Sequence, residues 1–214
     1  MIGSTVVIID LQHRGKAPPN QADVGASRDI DGDGKIGPHE VETHLVPGYA
    51  GPCNEVLFGA GHQVVWFTDG SYSDRHKRAA KIAGSVGPTG RVAYLACHLN
   101  AGAEGKLQRA LTLYDARSGS GKTLATSIAS ALNHVDALRR GRGSHVFAAR
   151  DSDWTRRPLN TIRGIYSAPS NISGVCLEPL FLDGFPAPTW ALLAEVGEHL
   201  GQGIDAWLRR DIGT

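Results

Sequence analysis

Residues 29–40 place acidic side chains at intervals that suit a calcium ion. In an EF-hand loop, positions 1, 3, 5 and 12 provide carboxylates, position 7 provides a backbone carbonyl, and position 6 is a glycine at a sharp turn. Gly34 occupies that sixth position. The ligand positions fall on Asp29, Asp31, Asp33, Lys35 and Glu40. The pattern predicts calcium binding; the competing interpretation is an acidic, glycine-rich surface turn.

Three further residues with metal-binding or acid–base side chains follow predicted strands: His13, His98 and Glu178. In α/β sheets, functional residues gather beyond the carboxyl ends of the strands. Two histidines and a carboxylate form a catalytic zinc set that leaves one position open for water. A separate glutamate can then act as general base. Each residue alone is more often structural, but their joint placement favours a hydrolytic metal centre.

Predicted strands alternate with predicted helices along the chain. The strands are predicted at 6–10, 63–68, 91–97, 111–115, 146–149 and 174–177. A helix is predicted to begin near Pro38 and to break or kink at Pro47-Gly48. Further helices are predicted at 54–60, 73–83, 123–138 and 189–210. Arg75 is predicted to face water. The alternation indicates an α/β fold, with one domain, a twisted and mostly parallel sheet, and helices on both faces.

The bulk composition excludes several classes of protein. A chain of 214 residues with a formal net charge of +1 has room for a substantial core and no strong nucleic-acid footprint. No apolar run is long enough to span a membrane, so no membrane insertion is expected. The first residues lack a basic leader, which predicts synthesis in the cytoplasm without a signal peptide. The three cysteines, an odd number, predict free buried thiols.

Three segments resemble the zinc-dependent N-acetylmuramoyl-L-alanine amidases of the type-3 family, which cleave peptidoglycan. The family motif Asp-Pro-Gly-His-Gly-Gly corresponds to Asp10-Leu-Gln-His13-Arg-Gly15. Ser-Ile-His-Ala-Asn-Ala corresponds to Ala96-Cys-His98-Leu-Asn100-Ala101. Val-Glu-Val-Gly-Phe-Leu-Ser-Asn corresponds to Leu177-Glu178-Pro-Leu-Phe-Leu-Asp-Gly184. Substitutions such as Leu11-Gln12 for Pro-Gly spare the positions that would touch metal or substrate.

The resemblance implies a phosphorylase/hydrolase-like amidase fold and a role for each matched residue. Zinc would bind His13, a glutamate opening a helix, and His98, while Glu178 would be catalytic and Asn100 would contact substrate. The family's glutamate lies about nineteen residues before a glycine, and Gly61 lies 19 residues after Glu42. Residues two apart on a helix point roughly 200° apart, so Glu40 can face calcium while Glu42 faces zinc. His44 is a weaker substitute, because the family uses a carboxylate there.

The resemblance also implies a biological setting. The calcium loop looks like an insert found in endolysins of phages that infect actinobacteria, and it would stabilise or activate the enzyme. The whole chain, 1–214, would be one catalytic domain without a separate wall-binding domain. The expected partner is bacterial peptidoglycan, reached after holin-type release, with no obligate protein partner.

Two other classes of function fit parts of the sequence. The segment Ala116-Arg-Ser-Gly-Ser-Gly121-Lys122-Thr123 follows a predicted strand and fits a relaxed P-loop pattern, which would indicate nucleotide binding. Ala116 replaces the first glycine of that pattern. A non-catalytic calcium-binding module is the other class, and it predicts no tightly bound zinc. Among zinc hydrolases, another zinc peptidase on a similar α/β fold is a further alternative.

Overall fold

A computed structural model describes residues 4–13, 25–29, 33–149, 160–166 and 168–210. Six strands form a single sheet in the order β2-β1-β3-β6-β4-β5. In chain order they are β1 (Thr5–Leu11), β2 (Gln63–Phe67), β3 (Arg91–Cys97), β4 (Ala110–Asp115), β5 (Ser144–Ala149) and β6 (Ile172–Glu178). The helices are α1 (Glu42–Gly59), α2 (Tyr72–Val86), α3 (Gly119–Leu132), α4 (Asp136–Arg140), α5 (Asn160–Tyr166) and α6 (Trp190–Arg209).

The direction of the strands decides which loops meet at one end of the sheet. β1 pairs in parallel with β2 and β3, and β3 pairs in parallel with β6. β4 runs antiparallel to β6, so Leu111 near its start lies opposite Glu178, and β5 runs parallel to β4. The carboxyl ends of β1, β3 and β6 therefore share one end of the sheet with the starts of β4 and β5. The predicted α/β class with a mostly parallel sheet is confirmed.

Two hydrophobic cores lie on opposite faces of the sheet. Along β1, Val7 and Ile9 pack in one core and Val6 and Ile8 in the other, because successive side chains of a strand point to opposite faces. The first core includes side chains of α1, α3, α4 and α6, and the second includes side chains of α2 and α5. The β-branched run of β1 is thus buried on both faces, as expected for a central parallel strand.

Helix α1 continues through Pro47 and Pro52, so the predicted break at Pro47-Gly48 is wrong. Proline removes a backbone donor from a helix, but packing against α6 outweighs that local cost. The two helices approach closely: a Cβ at Gly197 on α6 would lie 2.2 Å from the carbonyl oxygen of Tyr49 on α1. Tertiary contact, rather than helix propensity, keeps α1 in one piece.

Other differences from the sequence prediction are local. Arg75 is fully buried instead of facing water. In place of the single helix predicted at 123–138, the structure has two helices, α3 and α4. Helix α5 was not predicted. The cysteines at 53, 97 and 176 are free and buried, as predicted. Among the described residues, no helix is long and apolar enough to cross a lipid bilayer.

Candidate metal centre

His13, Glu42 and His98 meet at the carboxyl end of the sheet. His13 Nε2 lies 3.1 Å from His98 Nδ1, which lies 2.9 Å from Glu42 Oε1. His13 Nε2 and Glu42 Oε1 are 3.5 Å apart. Two ligands about 2.1 Å from a tetrahedral zinc ion lie roughly 3.4 Å from each other. The three atoms therefore fit one face of a zinc coordination tetrahedron.

Each of the three side chains comes from a different element. His13 lies in the turn after β1 with a left-handed φ of 67°. His98 follows β3; its N–H donates to the carbonyl of Leu177, and its carbonyl accepts from the hydroxyl of Tyr49. Glu42 is the first residue of α1. The strand ends and the helix start bring together residues that are far apart in the sequence.

The Glu42 carboxylate is buried and heavily hydrogen-bonded. It accepts the backbone N–H groups of Ala26 at 2.7 Å and Leu99 at 3.1 Å, as well as the contact from His98. Burial by itself raises the pKa of Glu42, but the hydrogen bond and charge of His98, the charge of His13 and the Ala26 N–H outweigh it and lower the pKa. Glu42 is thus held as an anion, the form that binds a cation.

The two ring nitrogens of His98 have different surroundings. Among the described residues, Nε2 of His98 is buried without a hydrogen-bond partner. Nδ1 of that ring faces His13 and Glu42, so Nδ1 is the atom presented to a metal. Two imidazoles and one carboxylate form a donor set typical of catalytic zinc.

Glu178, at the end of β6, lies beside this group. Its Oε2 accepts a 2.5 Å hydrogen bond from Nδ2 of Asn100. Burial first, and then the negative charge of Glu42, raise the pKa of Glu178 from 4.5 to about 7, against smaller opposing effects of Asn100 and Arg109. A carboxyl group with a pKa near neutrality can both take up and deliver protons. The predicted substrate contact of Asn100 remains a prediction, since its amide here supports Glu178.

Two polar residues that the sequence did not single out, the partly buried Asp183 and the buried Gln108, shape the surrounding loops. The Asp183 carboxylate accepts backbone N–H groups of Gly102, Ala103 and Glu104, and these bonds lower its pKa despite partial burial, which raises it. The Gln108 amide bonds both the N–H and the carbonyl of Phe181. An aspartate or glutamine in a loop gives no sequence signal of such a role.

The predicted calcium loop lies next to Glu42. Asp29 accepts the N–H of Gly34 at 3.0 Å, and Asp33 accepts the N–H of Lys35 at 2.8 Å. Glu40 is buried and accepts the N–H of Gly37 at 2.7 Å. Asp31 lies outside the described residues. Glu40 and Glu42 have separate partners, but they do not share a helix: Glu40 ends a short 3-10 turn, Val41 is extended and α1 begins at Glu42. Calcium binding itself stays a prediction.

The base of this loop reaches the metal centre directly. Ser27 and Val41 form an antiparallel bridge, and the N–H of Glu42 donates to the carbonyl of Ala26. Gly25 has a left-handed φ of 73°, and a Cβ there would lie 2.3 Å from Oε2 of Glu42. The backbone leading into the loop therefore touches the carboxylate of the metal centre.

The P-loop-like segment lies at the opposite end of the sheet. β4 starts beside Glu178 and ends at Asp115, so the turn into α3 is a sheet length away. α3 begins at Gly119, which leaves only residues 116–118 as a connection. A phosphate-binding loop needs a longer run of backbone N–H groups before its helix. The arrangement favours a simple strand-to-helix turn, with Arg117 paired to Asp115.

The sequence matches no known protein-family profile and no curated protein. Several solved structures with a similar fold are N-acetylmuramoyl-L-alanine amidases. One from Clostridium difficile 630 is 21% identical with a TM-score of 0.67, over 99% of this chain and 100% of that chain. The CwlD amidase from Clostridioides difficile, in complex with the GerS lipoprotein, is 18% identical with a TM-score of 0.63, over 96% and 98%.

The catalytic domain of the CD27L endolysin targeting Clostridia difficile also has this fold. It is 16% identical with a TM-score of 0.56, over 94% of this chain and 96% of that chain. At these identities, the likeness establishes a shared single-domain α/β fold. The predicted absence of an obligate protein partner remains a prediction.

Proposed function

We propose that this protein is a peptidoglycan hydrolase, a zinc-dependent N-acetylmuramoyl-L-alanine amidase. It would hydrolyse the amide that joins the lactyl group of N-acetylmuramic acid to the L-alanine of the stem peptide. The supporting observation is the group formed by His13, Glu42 and His98, with Glu178 beside it. The amidases that share the fold agree with this proposal.

The chemistry follows from the residues of the site. A bound zinc ion would lower the pKa of water and polarise the scissile carbonyl. Glu178 would take a proton from the attacking water as its oxygen bonds to the carbonyl carbon. Glu178 would then deliver that proton to the L-alanine nitrogen as the carbon–nitrogen bond breaks. Asn100 would keep the Glu178 carboxyl group oriented throughout.

The variant Glu178→Gln tests this function. It should bind one zinc ion as the wild type does and lose wall lysis by at least about 100-fold, because general acid–base catalysis contributes about that much. Glu198→Gln, at an exposed position on α6, is the matched control and should lyse walls normally. Digested wall should show new L-alanine amino termini and no new reducing sugars. Wild-type lysis by the Gln variant would refute the role of Glu178.

We further propose that calcium binds Asp29, Asp31, Asp33, Lys35 and Glu40. The contact between Ala26 and Glu42 supports a coupling, since ordering the loop would fix the donor to the zinc-binding carboxylate. The loop brings four carboxylates together, and a bound cation would relieve their mutual repulsion. Asp33→Asn should then weaken the effect of calcium on both wall lysis and melting temperature. An effect on melting temperature alone would mean that calcium only stabilises the fold.

A role as a phage lytic enzyme is a separate proposal. The calcium-loop resemblance and the endolysin among the proteins with this fold support it. Expression in an actinobacterial host should lyse cells only when a membrane-permeabilising holin is present. Lysis without the holin would contradict release by that route.

A further inference from the structure

A buried polar network lies directly behind His13. The side chains of Arg75, on α2, and Asp10, near the end of β1, are both 0% exposed and form an ion pair. The hydroxyl of Tyr94 and the amide of Gln12 also donate to the Asp10 carboxylate. Neither charged side chain of this ion pair is accessible to water.

Such a pair is costly to bury, so stability alone is a weak reason for it. Removing two charges from water is unfavourable for each ion, and apolar residues of similar size often stabilise a fold as well. The contacts of Arg75 suggest another role. Its guanidinium donates to the carbonyl of Leu11 at 3.0 Å, and its Nε donates to the carbonyl of Gly70 at 2.9 Å.

These bonds act where β1 stops pairing. The last pair of β1 with β3 is Leu11 with Cys97, and the chain then turns so that His13 adopts a φ of 67°. A left-handed conformation is unfavourable for a non-glycine residue and must be imposed by its surroundings. Arg75 holds the carbonyl of Leu11, two residues before His13. The residue between them, Gln12, donates its side-chain amide to Asp10.

We propose that Arg75 is a positioning residue for the metal centre. Acting through Asp10 and the Leu11 carbonyl, it sets the turn that aims His13 Nε2 at His98 and Glu42. The proposal rests on the metal centre of the proposed function but not on the amidase reaction. Groups that orient a metal ligand affect metal affinity, whereas a purely structural ion pair affects only stability.

The test measures zinc affinity and cobalt spectra. Arg75→Met leaves Asp10 charged and buried, and that variant can fail to fold. The double variant Asp10→Asn with Arg75→Met removes both charges and should fold with a cooperative melt. It should bind zinc about 10- to 100-fold more weakly, the range for outer-shell partners of metal ligands. The visible spectrum of its cobalt form should differ from the wild type, because His13 is displaced.

Two further variants complete the test. Arg75→Lys keeps the charge but lacks the planar fork that reaches both Asp10 and the backbone, so it should restore folding but not full zinc affinity. Arg78→Met, on the exposed part of α2 and paired with Asp69, is the control and should bind zinc as the wild type does.

The outcomes separate this proposal from the proposed function. Wild-type zinc affinity and cobalt spectrum in the folded double variant would overturn the positioning role. A wild-type protein that binds no zinc would overturn the metal centre and this proposal together. Zinc binding without wall cleavage would refute the amidase function and leave the role of Arg75 standing.

Discussion

Glu178 should make the metal-free protein less stable as the pH rises. The folded-state pKa is raised from 4.5 to about 7, so the folded protein favours the neutral acid. Between these two values the unfolded chain has released the proton while the folded protein still holds it. The free energy of unfolding therefore falls as pH rises from about 4.5 to about 7, and this contribution is then constant.

The size of this effect follows from the two pKa values. At about 1.4 kcal/mol per pH unit, the difference corresponds to about 3.5 kcal/mol at most. Glu178→Gln keeps an oxygen for the amide of Asn100 and carries no charge. The variant should exceed the stability of the wild type by less than about 1 kcal/mol near pH 5 and by about 3 kcal/mol at pH 8. For a chain of this size, that is a melting temperature higher by roughly 5 to 10 °C.

Chemical denaturation of chelator-treated protein at both pH values measures this difference. Glu198→Gln removes a charge at an exposed site on α6, and its effect should be small and similar at pH 5 and pH 8. A Glu178→Gln variant that is no more stable than the wild type at pH 8 would refute the conclusion that burial and the charge of Glu42 disfavour ionised Glu178. A gain of equal size at pH 5 would assign the effect to packing instead.

Three other substitutions test separate parts of the structure. Asn100→Ala removes a donor that lowers the pKa of Glu178, so the acid limb of the activity–pH profile should move to higher pH; an unmoved limb contradicts this role. Gly197→Ala should cost about 1–3 kcal/mol in urea denaturation by pushing α6 from α1, whereas Gly59→Ala, with no atom within 4 Å, should not destabilise. Gly25→Ala should weaken zinc binding about tenfold in chelator competition, because its Cβ would lie 2.3 Å from the metal-site carboxylate. Unchanged zinc affinity there would show that the loop base does not support the metal centre.

The hydrophobic pattern predicted the sheet well because it reflects burial directly. The run Val6–Ile9 predicted a strand buried on both faces, and alternation with helical segments predicted the α/β class. The break at Pro47 was predicted from local propensity, which long-range packing against α6 overrides. Local sequence carries no information about how closely a second helix approaches.

The three residues of the candidate metal centre could be predicted because each lies at one end of a strand or helix that the sequence pattern indicates. The resemblance selected Glu42 over Glu40, and the structure places Glu42 with both histidines. Arg75 was misplaced because a charged residue on a helix is usually exposed, and only the fold reveals Asp10 as its buried partner. Polar residues that act through tertiary partners have no periodic pattern to read.

The central position of β3 has a consequence for folding. β1 and β6 both pair with β3, in a register that places Leu11 and Leu177 beside Cys97. These pairings are non-local, and such contacts form slowly because a long loop must close first. A shift of one residue in the pairing of β3 with β1 or with β6 would turn His13 or Glu178 to the wrong face of the sheet. Zinc uptake during refolding would therefore report completion of the native register, and misregistered chains would remain metal-free.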